Sequence, residues 1–284
     1  MEIEVAKNSG YCFGVKRALD LAEKTIKKYQ NKNVRIYTLG EIIHNKGVVK
    51  ELEKSGIKAV KDENEIEEGS VFIVRSHGMS PEILKRIKLR GVRVVDATCP
   101  YVKKAQSKAK MLAKRGYNIV IIGNNKHPEV LGVKAQIESK NVTVIENQKE
   151  LSKLKTYAKI GVLIQTTQTM ENVKEIISGL LEKGKEILIE NTICNTTEKR
   201  QNTVKELAKK VDVMLIIGGK NSANTTHLAE LAGKYNINTY QIESYREIKK
   251  ELFRQKMKIG ISSGASTPQK DIKNVRNYLE SLNF

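Results

Sequence analysis

Short runs rich in Val and Ile alternate along this chain with stretches whose apolar positions recur every three or four residues. The N-terminal EIEVA alternates and reads as a short strand, followed by the loop NSGYCFG. VRIYTLG, VFIVR and VRVVDAT come next, then NIVIIG, VTVIE, IGVLIQ and EILIEN, then VDVMLIIGG, INTYQI and KIGISSG, with helix-like stretches between them. That rhythm predicts parallel α/β structure. Grouped in order, the elements give three α/β lobes near residues 13–98, 99–194 and 195–284, with 1–12 as an N-terminal strand and loop. Three helical stripes resemble one another: Val15/Ala18/Leu19/Ala22, Val102/Ala105/Ala109/Leu112 and Val204/Leu207/Ala208/Val211. They suggest a diverged threefold repeat. Pro81, Pro100 and Pro268 follow Ser, Cys or Thr where helices should begin, a position that tolerates proline.

A chain of 284 residues can bury more than one core. Its apolar runs, such as 213–217, are far too short to span a bilayer, and MEIEVAKNSG has no signal-peptide core. A soluble, cytoplasmic protein without a membrane partner is expected. The formal charge of +19, from 51 Lys and Arg against 32 Asp and Glu, favours anionic partners. The Lys excess is scattered over polar helix faces, however, and aromatics are 5% with no Trp. Base stacking is poorly supplied, so no nucleic-acid partner is expected. Neither G-x-x-x-x-G-K-[ST] nor a strand-following G-x-G-x-x-G is present, which argues against those routes to nucleotide binding.

Three cysteines change the picture: Cys12 in NSGYCFGVKRA, Cys99 in VVDATCPYVKKA and Cys194 in IENTICNTTEKR. Each opens a helical pattern and is followed by a basic pair, Lys16/Arg17, Lys103/Lys104 or Lys199/Arg200. Helix N-termini and these cations would favour thiolates. Singly, each is equally well a buried thiol. Together, in equivalent places and without the close pair that structural zinc prefers, they suit a [4Fe-4S] cluster with one iron left without a protein ligand. Six predicted strand ends carry the remaining chemistry: His44; Ser76 and His77; His127 and Glu129; Thr166 and Thr167; KNSAN with Ser222, Ala223 and Asn224; and GASTP with Ser266. Ligands of α/β sheets bind beyond such ends. Ser222, Asn224 and Ser266 equally suit helix N-caps, and a capped helix N-terminus is a natural phosphate site. His227 falls within a predicted helix and reads as surface.

GYCFGVKRA, EIIHNKGVV, RSHGMS, VVDATCPYV, GNNKHPEVLG, IQTTQT, TICNTTEKRQ, IGGKNSANTTHLAE and SSGASTP, in that order, resemble the 4-hydroxy-3-methylbut-2-enyl diphosphate reductase family over essentially the whole chain. The resemblance implies a pseudo-threefold cloverleaf of α/β lobes around one [4Fe-4S] cluster per chain, held by Cys12, Cys99 and Cys194. It implies a diphosphate site at His44, His77, His127, Ser222, Asn224 and Ser266, with the backbone of residue 223 close by. Glu129 matches the family's proton-delivering glutamate, and Thr166 its threonine near the substrate hydroxyl. Many members have Ser where this chain has Ala223, so weaker diphosphate binding is expected. The implied reaction reduces the allylic alcohol diphosphate, with loss of water, to isopentenyl and dimethylallyl diphosphates. The positive charge suggests ferredoxin or flavodoxin as electron donor. A non-catalytic α/β module binding phosphorylated ligands is the competing reading.

Overall fold

A computed structural model describes residues 1–137 and 142–282; positions 138–141 of the expected second lobe and 283–284 of the third lie outside them. The chain opens with β1 (Glu2–Val5), α1 (Phe13–Tyr29), β2 (Ile36–Leu39), α2 (Lys46–Lys54), β3 (Ile57–Val60), β4 (Val71–Val74), α3 (Pro81–Leu89) and β5 (Arg93–Asp96). It continues with α4 (Pro100–Lys114), β6 (Asn118–Ile122), α5 (Pro128–Lys134), β7 (Val142–Ile145), β8 (Tyr157–Ile164), α6 (Met170–Leu180) and β9 (Gly184–Glu190). The last stretch holds α7 (Asn195–Ala208), β10 (Val213–Ile217), α8 (Ala223–Gly233), β11 (Thr239–Ile242), β12 (Lys258–Ser263) and α9 (Gln269–Glu280).

Among the described residues these strands form three four-stranded sheets, ordered β3-β2-β4-β5, β7-β6-β8-β9 and β1-β12-β10-β11. All pairings are parallel, as the Val- and Ile-rich runs predict. Strand β3 was not among the expected elements. Its segment, IKAV, is four residues long with an exposed Lys58 in its middle, too short to show a period. Strand β1 joins the last sheet, with Glu2 in register with Lys258 and Val5 with Ile261. Each sheet therefore has the order outer, inner, inner, outer. In all three, the chain runs outward from one inner strand before returning to the other, which makes the inner pair a topological switch point.

Inner strands β4, β6 and β10 are almost wholly buried, whereas β1, β5 and β9 are half-exposed outer strands. The second sheet is covered on both faces. Ile122, Val162 and Ile164 meet Val173, Ile176 and Leu180 of α6 on one face; Ile119, Ile121 and Leu163 meet Ala105, Ala109 and Leu112 of α4 on the other. Burying each such Ile or Leu is worth about 1.5–3 kcal/mol. The predicted stripe of α7 holds at Val204, Leu207 and Ala208, all buried, while Val211 lies past the helix end. Pro81, Pro100 and Pro128 each occupy a first-turn position, whereas Pro268 is the cap residue of α9.

The chain groups into two compact units, one of Met1–Lys16, Ile43–Val48 and Asn195–Phe284, the other of Arg17–Ile42 and Val49–Cys194. Among the described residues, no helix is long and apolar enough to cross a membrane.

Candidate active site

In the larger unit, Glu129 sits in the first turn of α5, where the strand-to-helix loop after β6 delivers it. His127 caps that helix: its Nδ1 accepts from the Glu129 N–H at 3.2 Å. Since Nδ1 accepts, the ring proton of the neutral imidazole is on Nε2. Glu129 is 3% exposed, and both its oxygens meet Thr166, two residues beyond β8. The Thr166 N–H donates to Oε1 at 2.7 Å, and Oγ1 lies 2.7 Å from Oε2. Burial pushes the Glu129 carboxyl above its ordinary pKa, and the two bonds from Thr166 pull the other way without cancelling it. His77 meets the edge of His127, ring centroids 5.5 Å apart and nearly perpendicular.

The Cys99 N–H donates to the Ser76 carbonyl at 2.9 Å, and the Cys194 N–H to the Thr166 carbonyl at 3.1 Å. Both acceptors stand two residues past the end of an inner strand, β4 and β8, and each cysteine follows the outer strand beside it, β5 and β9. The smaller unit repeats the arrangement. There the Cys12 N–H donates to the Ala265 carbonyl at 3.0 Å, two residues past inner strand β12, and Cys12 follows outer strand β1. Cys12 also accepts at Sγ from the Val15 N–H at 3.4 Å. All three residues are half-buried thiols at helix starts, none in a disulfide.

The smaller unit also gathers His44, Ser222, Ala223, Asn224 and Ser266. Ser222 caps α8, its Oγ accepting from the Thr225 N–H at 3.4 Å. Ala223 is the first helical residue and half-buried; a first-turn N–H has no acceptor within its helix. Asn224 is 7% exposed, and its buried Nδ2 has no hydrogen-bond partner among the described residues. Ser266 donates through Oγ to the His44 carbonyl at 2.8 Å. It is therefore a loop tie rather than an N-cap, since Pro268 holds that place. The loop after β12 lies so close to α8 that a Cβ on Gly264 would stand 2.0 Å from Thr225 Oγ1, and only glycine fits. His227 is half-buried within α8 rather than on the surface.

Three members of the basic pairs make further bonds. Lys103 pairs with Asp96 at 2.5 Å, and Arg17 donates to the carbonyls of Thr98 and Asp96 at 3.1 and 3.3 Å. Arg200 is 2% exposed and spends its guanidinium on backbone carbonyls. Sequence reasoning missed this last residue as a structural tie, because its place just after Cys194 reads as favouring the thiolate.

The model of the LytB protein family matches residues 3–280. A 4-hydroxy-3-methylbut-2-enyl diphosphate reductase of Caldanaerobacter subterraneus subsp. tengcongensis is 42% identical, over 99% of this chain and 98% of its own. The reductase of the same name from Aquifex aeolicus is 41% identical, over 99% and 97%. A solved structure of (E)-4-hydroxy-3-methyl-but-2-enyl diphosphate reductase, described as the terminal enzyme of the non-mevalonate pathway, superposes with a TM-score of 0.73 at 40% identity, covering 99% of both chains. The Plasmodium falciparum reductase superposes with a TM-score of 0.94 at 28% identity, covering all of this chain and 89% of that one. With a full-length family match, relatives above 40% identity and the same α/β sheets, the chain belongs to the LytB protein family.

Proposed function

We propose that the protein is a 4-hydroxy-3-methylbut-2-enyl diphosphate reductase, the last enzyme of the methylerythritol phosphate route to isoprenoids. Two electrons and two protons convert the allylic alcohol diphosphate into isopentenyl or dimethylallyl diphosphate and water. The observation that carries the reading is the matched tethering of Cys12, Cys99 and Cys194, each through its N–H to the carbonyl two residues beyond an inner strand. Such equivalence has no use in three unrelated buried thiols. Three half-buried thiols outside any disulfide fit a [4Fe-4S] cluster, one per chain, and suit the reducing cytoplasm. When bound, that cluster supplies electrons and a Lewis-acid iron for breaking the C–O bond.

The chain's own residues supply the protons and hold the substrate. Burial raises the Glu129 carboxyl pKa; when protonated, Oε2 would donate to Thr166 Oγ1, freeing the Thr166 hydroxyl to donate onward to the leaving hydroxyl. Asn224 Nδ2, a buried donor in want of an acceptor, fits an anionic oxygen of the diphosphate. Ser222, His44, His77 and the Nε2–H of His127 add donors, Ser266 would add one by turning its hydroxyl from the His44 carbonyl, and the Ala223 N–H contributes where relatives offer a hydroxyl as well.

Anaerobic turnover of the allylic alcohol diphosphate with a small chemical reductant tests the proposal, with iron and the visible spectrum recorded. A brown protein with about three to four irons per chain is expected; a colourless, iron-free chain after anaerobic reconstitution would sink it. A ferredoxin or flavodoxin is the proposed donor. Neutralising exposed Lys clusters should slow reduction by that acidic protein and leave the chemical reductant's rate unchanged.

A further inference from the structure

We infer that Arg200 is a positioning residue that locks the Cys12 loop to the Ser266 loop, so that thiolate site and anion site in the smaller unit are assembled as one piece. Its Nη1 donates to the Ser263 carbonyl at 2.6 Å and the Gly264 carbonyl at 3.3 Å, and its Nη2 to the Gly10 carbonyl at 2.8 Å. Gly10 lies two residues before Cys12; Ser263 and Gly264 lie just before Ser266. Two further bonds close the same junction: Gly10 N–H to Ser263 Oγ at 2.7 Å, and Cys12 N–H to the Ala265 carbonyl at 3.0 Å. Gly10 takes φ +92 here, a conformation that suits glycine.

The choice of arginine is informative. A guanidinium offers five donors in a planar fork and stays charged when buried, whereas a lysine ammonium is a single point. Only the fork reaches carbonyls on two chain segments from one place. Arg17 makes a smaller version of the tie, holding the Thr98 carbonyl immediately before Cys99. Arg200 differs in being almost fully buried and in joining a cysteine loop to a loop of the proposed diphosphate site. A fixed junction of this kind means that ordering either loop orders the other, so each ligand should favour the second.

The inference rests on the proposed function, and its test separates the two. Full-length wild type, Arg200→Lys and Ser263→Ala are compared. Arg200→Lys keeps a cation without the fork, and Ser263→Ala removes the Gly10 acceptor while leaving Arg200 in place. Metal-free protein is titrated with inorganic pyrophosphate, and anaerobically reconstituted protein is assayed for iron retention against a chelator and for its electron paramagnetic resonance spectrum. Arg200→Lys should bind pyrophosphate and hold iron about 10- to 100-fold less well, with an altered spectrum, and Ser263→Ala should move in the same direction by less. A folded Arg200→Lys with wild-type pyrophosphate affinity and spectrum, whatever its melting temperature, overturns the inference. Should Arg200→Lys fail to fold, Ser263→Ala decides by the same two readouts. A wild type that takes up neither iron nor pyrophosphate overturns the proposed function instead.

Discussion

Thr166 gives both its N–H and its hydroxyl to the carboxyl of Glu129, each at 2.7 Å. One of these bonds can run either way. The N–H can only donate, so Oε1 remains an acceptor, whereas a protonated Oε2 can donate to Thr166 Oγ1. The pair thus keeps its geometry through loss and gain of a proton.

Glu129→Gln should preserve that geometry, since the amide oxygen accepts the Thr166 N–H and the amide nitrogen donates to Oγ1. Fold, iron content and pyrophosphate binding are expected to match wild type, with turnover reduced by about 10²-fold or more, the usual worth of a positioned acid. Single-turnover kinetics on the reconstituted variant measure this, and a near-normal rate would remove Glu129 from the chemistry.

The same residue should be visible in stability against pH. Burial raises its folded-state pKa above the ordinary 4.5, so the folded chain keeps a proton that the unfolded chain releases. Stability carried by the neutral carboxyl is complete below about pH 4.5 and is lost as pH rises through the folded-state value. The amide introduced by Glu129→Gln does not titrate, so this variant should gain on wild type in thermal melts from that pH towards neutrality. Parallel melting curves would refute the raised pKa.

Thr166→Val keeps the shape and deletes the hydroxyl. It leaves Oε2 without its partner, at a cost of about 1–3 kcal/mol, and removes a bond that pulls the Glu129 pKa down. The alkaline limb of the turnover profile should therefore move to higher pH while the maximum rate falls. A limb that stays in place would assign it to another group.

Each of Cys12→Ser, Cys99→Ser and Cys194→Ser should lower iron content without unfolding the metal-free chain, because all three thiols are only half-buried. Calorimetric melts with and without iron make the check: wild type gains stability on loading, by linkage, and the variants lose that gain. A variant that loads and melts like wild type would strike its cysteine from the proposed ligands.

Asn224→Leu separates stability from binding. Removing a buried donor that has no partner among the described residues should hold or raise the melting temperature, while pyrophosphate affinity falls. Equal affinity in variant and wild type would place the anion elsewhere.

Much of this was legible in the residues, and the exceptions have physical causes. Inner strands β4, β6 and β10 announce themselves as apolar runs rich in Val and Ile, and the polar residues just past inner strands, such as Ser76 and Thr166, mark their ends. Strand β3 escaped because IKAV buries only its two ends, Ile57 and Val60. Ser222 reads as a cap and is one; Ser266 reads alike, but the cap of α9 falls two residues later. His127 gave no sign of capping α5, since its place depends on which ring nitrogen accepts. The burial of Arg200 and the pairing of β1 with β12 are products of tertiary contact, which no local pattern of residues records.

The pairing of β1 with β12 also sets a schedule. Gly10 and Ser263 are 253 residues apart, so β1 finds its partner only after β12 has left the ribosome. At about 5–20 residues per second that is a wait of about 13 to 50 s. During it Cys12 has neither its strand's neighbour nor the Ala265 carbonyl, and its thiol is open to oxidants and stray metals. The last sheet to close is thus the one that carries Cys12, one of the three proposed ligands, and nascent chains should be most vulnerable to oxygen before β12 emerges.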